Sequence, residues 1–280
     1  MFDLSTEDLR GIWVPLVLPV GRRGGLPDLL AGHLEPLADA GVSGLFIDTS
    51  SCASVDAEEL LAAAAAPAAE LELPVLVDSD RVPMVRAEEL GASASLVHLS
   101  PGDLTGYLHV ASESGTTPIV IDGRGSGDWS PDQLREAHGA APLLGYIHGG
   151  SEGEALDGLG AVRDLIGILA PPTIGHTAWR WGAHGLAGEL LLLDPGWFER
   201  AWAGIEEGER GLSELELRLQ RFEELALQPL RRRSSDPAVV ASLLAAVNDP
   251  ERWRHELDGD LLEATASLAE ELLPELGTSG

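Results

Sequence analysis

The chain contains no lysine: all 18 of its basic residues are arginines. A guanidinium stays protonated and is a poor nucleophile, so no side chain here can condense with a carbonyl to form an imine. Cysteine occurs once, at Cys52, which excludes an intrachain disulfide and a cysteine-rich metal cage and fits a reducing compartment. Positive charge is scarce: 18 basic against 46 acidic residues leave a formal net charge of -28 at pH 7. Such a surface repels phosphate backbones and anionic lipids, so neither nucleic acid nor a membrane is expected as a partner. Long apolar runs are missing too. "LLAAAAAPAAEL", from Leu60, is broken by Pro67 and too short to cross a bilayer. The opening "MFDLSTEDLR" has neither the basic nor the apolar region of a signal peptide. A cytoplasmic protein is the expectation.

What is present is core. Hydrophobic residues make up 44% of the 280, ample for a large buried interior. Short apolar runs bounded by Gly and Pro alternate with helical stretches, the pattern of βα units and a parallel sheet. Eight runs qualify: "GIWVPLVL" (11–18), "SGLFID" (43–48), "LPVLVD" (73–78), "ASLVHL" (94–99), "TPIVID" (117–122), "PLLGYI" (142–147), "LIGIL" (165–169) and "HGLAGE" (184–189). Helices are predicted over 26–40, 56–70, 103–114, 130–138 and 196–207, where apolar residues recur at three- and four-residue spacing. Eight units suit a closed (β/α)8 TIM barrel, with an open doubly wound sheet as the competing arrangement. From "GLSELELRLQRFEELALQPL" (211–230) onward the pattern is purely helical, with further helices near 236–247 and 259–275. The expected organisation is a barrel over 1–208 and a C-terminal helical domain over 209–280, with "RRRSSD" (231–236) as a basic, solvated link or subunit contact.

In order and spacing these stretches resemble the dihydrodipicolinate synthase/N-acetylneuraminate lyase family. "GIWVPLVLPV" is similar to its opening strand, and "LADAGVSGLFIDTSSCASVDAEE" to its helix–strand–GTTGE–helix segment. "LPVLVDSD", "AEELGASASLVHLSP" and "PIVIDGRGSGDWSPDQL" resemble its third to fifth units. "GAHGLAGELLLLDPGWFERAWAGIEEGE" resembles its eighth strand and following helix. The resemblance implies a barrel, a small carboxylate or keto-acid ligand, and a homodimer or homotetramer. It also implies a Schiff-base lysine at the end of the sixth strand, where "GYIH" (145–148) sets Ile147 instead. Asp122 stands where the family has a proton-relaying tyrosine, and Gly102 where it has another. The GTTGE turn becomes Asp48-Thr49-Ser50-Ser51-Cys52, which keeps hydroxyls but loses the glycines. The α-amino group of Met1 precedes the first strand, at the face away from the expected site, and is set aside.

Residues closing the strands of such a barrel face its C-terminal rim. They are Asp48, Ser50 and Cys52; Asp78 and Asp80; His98 and Ser100; Asp122 and Arg124; His148; and Glu189. Asp122 and His148 are the candidate acid/base residues, although strand alternation turns His148 away from Ile147 and a satisfied structural histidine is the plainer reading. Thr49, Ser50, Arg124 and Glu189 are the candidate ligand-binding residues. Arg124 lies where the family supplies an arginine to a carboxylate, and a guanidinium fork can take one through two hydrogen bonds. No cofactor is required; Asp48, Asp78 and His98 are the set that a divalent metal could use. Asp80 reads as a helix cap ahead of a helix near 83, and Cys52 as a small buried thiol. "HGGSEGE" (148–154) could offer amides to a phosphate, but Glu152 and Glu154 would repel it. Two functions follow: a lyase, hydratase or isomerase acting on a small carboxylate or keto acid without an imine, or a catalytically inactive relative serving as a metabolite-binding, regulatory or structural subunit.

Overall fold

A computed structural model of the chain describes residues 4–18, 26–48, 51, 56–150, 158–209, 211–233, 237–248, 259–274 and 276. Eight parallel strands follow in chain order: β1 (Gly11–Pro15), β2 (Gly44–Ile47), β3 (Val75–Asp78), β4 (Ala94–Val97), β5 (Ile119–Asp122), β6 (Gly145–Ile147), β7 (Gly167–Ala170) and β8 (Gly185–Ala187). Each pairs with the next and β8 closes on β1, with Ile12 opposite Leu186. Closure decides for the barrel over the open sheet.

Among the described residues seven helices stand around the outside between and after the strands: α1 (Leu26–Asp39), α2 (Ala57–Glu70), α3 (Met84–Glu89), α4 (Leu104–Glu113), α5 (Pro131–Ala140), α6 (Gly175–Arg180) and α7 (Pro195–Glu206). Local chemistry sets their starts. The Asp56 carboxylate accepts from the amides of Glu58 and Glu59 at the head of α2, and Ser130 with Gln133 forms a reciprocal capping box ahead of Pro131 in α5. Asp80 is not a cap: Pro83 precedes α3 without a side-chain bond, and the Asp80 amide donates to Asp78 Oδ1 at 2.9 Å. The expected strand at 165–169 begins two residues later. Leu165 is exposed and Ile166 closes the preceding turn from the outer layer, so apolar character there belongs to the turn rather than the strand.

After the barrel come α8 (Gly211–Phe222), a π-helical turn (Glu223–Leu227), α9 (Gln228–Arg233), α10 (Pro237–Asn248) and α11 (Gly259–Leu272). The helix runs on through Arg233, so the three arginines of the expected link are its last turn. Val240, Ala241, Leu243 and Leu244 of α10 share a buried apolar cluster with Leu190 to Leu193, the 3-10 turn that follows β8. That packing lays the C-terminal helices across one side of the rim.

Alternation divides each strand between two layers. Ile12, Val14, Leu45, Ile47, Val75 and Val77 pack outward under the helices, whereas Trp13, Phe46, Leu76, Leu96, Val120, Ile147, Leu169 and Ala187 fill the barrel. The floor of the barrel is made by deletion of side chains. Leu9, from the 3-10 turn before β1, occupies the space that a Cβ on Gly145 or Gly167 would claim, at 2.4 and 2.5 Å, and the Trp13 indole does the same at Gly44.

Candidate functional site

The interior parity that buries Phe46, Leu76, Leu96 and Val120 brings Asp48, Asp78, His98 and Asp122 to the top of the same wall, two residues further along each chain segment. Asp48, His98 and Asp122 line a cavity of about 470 Å³ at the C-terminal rim, together with Arg124, His148, Thr173, Glu189, Glu223 and Arg231, while Asp78 stands behind His98. Ile147, on the family's lysine position by resemblance, is buried among the interior apolar side chains.

Arg124 organises one half of the cavity. Its Nε donates to both oxygens of Asp122 at 3.0 and 3.1 Å, and its Nη2 bridges Asp122 Oδ2 at 2.6 Å and Asp48 Oδ2 at 3.0 Å. The Arg124 amide donates to Asp122 Oδ1 as well, and the guanidinium lies 4.6 Å over the Phe46 ring. Burial alone would raise the Asp122 pKa; the charge and hydrogen bonds of Arg124 outweigh it and hold this carboxyl below its ordinary range. The converse holds for Arg124: burial opposes its charge, and Asp122 and Asp48 push its pKa up. Nη1 is left with no acceptor among the described residues, and the side chain is 26% exposed. The arginine is therefore fixed along one edge and open along the other.

His98 and Asp78 form a second unit. The buried Asp78 carboxylate lies 3.2 Å from His98 Nε2, and that hydrogen bond is the main reason the imidazole pKa is raised, with desolvation opposing it. A neutral His98 donating from Nε2 has its lone pair on Nδ1, which has no partner among the described residues and belongs to a side chain on the cavity wall.

Asp122 and His148 are not brought together as an acid/base pair. Asp122 is locked by Arg124, while His148, fully buried, sits with Nδ1 2.9 Å from Asp128 Oδ1, off the line of a well-aligned hydrogen bond. Burial lowers the His148 pKa, with Asp128 opposing. Asp128 Oδ1 also accepts from the Tyr146 hydroxyl at 2.9 Å and from the amides of Gly149 and Gly150 at 3.1 and 3.2 Å. Glu189 reaches the cavity but is engaged by Arg231 Nη2, whose Nη1 takes Glu223 at 2.8 Å. Among the described residues no three His, Cys, Asp or Glu side chains gather as a metal-holding group. Asp48 faces Arg124, and Asp78 faces His98, so the expected Asp48, Asp78 and His98 set is divided between two partners. Thr49, Ser50 and Cys52 lie outside the described residues. Asp128, Glu223 and Arg231 were not among the expected site residues. Asp128 stands within "PIVIDGRGSGDWSPDQL" with nothing to distinguish it, and Arg231 was hidden in a link.

No family model and no curated protein matches the sequence. Solved structures match over nearly its whole length. YagE, a prophage protein of the dihydrodipicolinic acid synthase family from E. coli K12 in complex with pyruvate, superposes with a TM-score of 0.77 at 15% identity, covering 95% of this chain and 99% of that one. Dihydrodipicolinate synthase from Aquifex aeolicus gives 0.73 at 15% identity over 97% and 100% of the two chains. The sialic acid aldolase of Ruminococcus gnavus gives 0.70 at 14% identity over 96% and 99%. By fold, the chain is a (β/α)8 barrel with C-terminal helices of the kind built by dihydrodipicolinate synthases and sialic acid aldolases.

Proposed function

We propose that the rim cavity binds a small keto or hydroxy acid and moves a proton on it without an imine, in a lyase, hydratase or isomerase step. The observation that carries this reading is the pairing of an open-edged Arg124 with a carboxylate-backed His98 on one wall. Arg124 Nη1 is free to donate to a carbonyl, hydroxyl or carboxylate oxygen, and fixing the guanidinium beforehand lowers the ordering cost of binding. His98 Nδ1 is the base for a proton on the carbon beside that oxygen, and Asp78 stabilises the imidazolium formed. Asp122 then serves as the counter-ion that sets Arg124 in place. Two carboxylates already balance the charge of Arg124, so it selects a ligand by directed hydrogen bonds rather than by net attraction. The absence of lysine supports the imine-free character of the step.

The test is a panel of keto and hydroxy acids incubated with the protein in D2O and followed by proton NMR. Exchange of the hydrogen next to the carbonyl, abolished in His98→Gln and with binding weakened in Arg124→Lys, is the expected result. Binding seen by thermal shift with no exchange for any member of the panel would replace this reading with that of a metabolite-binding subunit. Incubation with pyruvate and borohydride is expected to leave the mass of the protein unchanged.

A further inference from the structure

The opposite end of the barrel holds a second cavity, of about 510 Å³, beneath β7, β8 and the turn before β1. We propose that it is a binding site for a small organic phosphate that carries a flat ring. In a chain with 46 acidic and only 18 basic residues, three guanidiniums meet here: Arg10 before β1, Arg163 before β7 and Arg180 at the end of α6. Arg180 forms no ion pair among the described residues. Among the described residues the other two pair only with carboxylates close to them in the chain. Glu7 holds Arg10 at 2.8 Å, and Asp164 lies 3.6 Å from Arg163. Those carboxylates are 66% and 93% exposed, so each can swing into water and release its arginine at little cost.

His184 gives the site a fixed donor. Its Nδ1 accepts the Ile168 amide at 3.0 Å, which leaves the ring proton of the neutral imidazole on Nε2, and Nε2 has no partner among the described residues. The His184 backbone is pinned on both sides, accepting from Gly11 and donating to Ile168, so the ring cannot shift with the surface. Gly182 is shaped to the same end. Its φ is +91°, a conformation that favours glycine, and a Cβ there would lie 2.7 Å from Arg163 Cδ, so a side chain at this point would have to displace the Arg163 stem. Two indoles, Trp179 and Trp202, add aromatic surface to the wall; His176 stacks on one face of Trp179.

The ligand class follows from this inventory. Three guanidiniums and an N–H donor suit a dianion better than a single carboxylate, and guanidinium forks match phosphate oxygens. Indole surface beside them suits a flat ring, through stacking and apolar contact. The volume is that of a small-molecule pocket.

Adenosine 5′-monophosphate is the probe, titrated calorimetrically into the full chain beside adenosine and inorganic phosphate. Saturable binding of the monophosphate is expected, at least about tenfold tighter than that of either fragment. Arg163→Ala and Arg180→Ala should each weaken it by about tenfold, and Glu7→Gln should tighten it, since that change removes a competing carboxylate without touching the fold. Arg180 is exposed, so its variant keeps the proposal testable if Arg163→Ala fails to fold. The proposal is overturned if no saturable binding is seen up to about 10 mM, or if the affinity is unchanged both in Arg180→Ala and in Glu7→Gln.

Discussion

At Arg124 two buried carboxylates share one cation, and removing it takes from Asp48 and Asp122 the guanidinium that both of them bind. Arg124→Met is therefore expected to cost about 3–5 kcal/mol, read as a lowered midpoint in urea, because breaking a buried pair strands its charge. Arg124→Lys should recover only part of this, since an ammonium cannot span both carboxylates as the fork does. The acid limb of stability follows from Asp122. Its pKa is held below the ordinary 3.8, so its contribution is present above about that pH and is lost as the pH falls through the lower folded value. His98 works in the other direction. Its pKa is raised above 6.5, so its pairing with Asp78 stabilises the fold below that pH and fades as the pH rises through the folded value. Thermal melts from pH 5 to pH 9 on the protein and on His98→Gln should thus diverge at the acid end and converge at the alkaline end; parallel curves would remove the His98–Asp78 pairing from the account.

At the scale of the element, the barrel depends on a floor in which glycines give way to Leu9. Leu9→Ala opens a void enclosed by strands that cannot collapse into it, and a loss of about 2–5 kcal/mol in the urea midpoint is expected. Gly167→Val should be worse tolerated than Leu9→Val, because the added side chain meets a filled interior. These elements were largely legible in the sequence. All eight strands stand where apolar runs bounded by Gly and Pro put them, and α1 and α2 begin and end within a residue of the periodicity that marks them. The rim positions of Asp48, Asp78, His98 and Asp122 were legible for the same reason, since strand alternation is a property of local spacing. Their partners were not. The approach of Asp128 to His148 depends on how two successive βα loops fold over one another, and the reach of Arg231 to Glu189 spans 42 residues through a helix interrupted by a π turn. No pattern along the chain encodes either distance. Arg231→Ala tests the second directly: free of its cation, Glu189 should weaken ligand binding at the rim while the melting temperature shifts by only a few degrees.

Over the whole molecule, a formal charge of -28 spread on one chain makes self-repulsion a standing cost of compactness. Raising salt from about 20 mM to about 500 mM should raise the melting temperature, since exposed charges beyond a Debye length are then screened. The homodimer or homotetramer suggested by the resemblance would respond alike: light scattering should report more assembly at the higher salt, and a monomer at both would remove that expectation. The barrel helices meet solvent with this charge, but the rim does not stand alone, because Arg231 hangs from the C-terminal helices and grips a carboxylate just beyond β8. One wall of the cavity is thus carried by a part of the chain that contributes no strand to the barrel. Its position is inherited from the seating of α10 against Leu190 to Leu193, so a cavity-forming change in that seat, far from any ligand, would set how long a bound molecule stays.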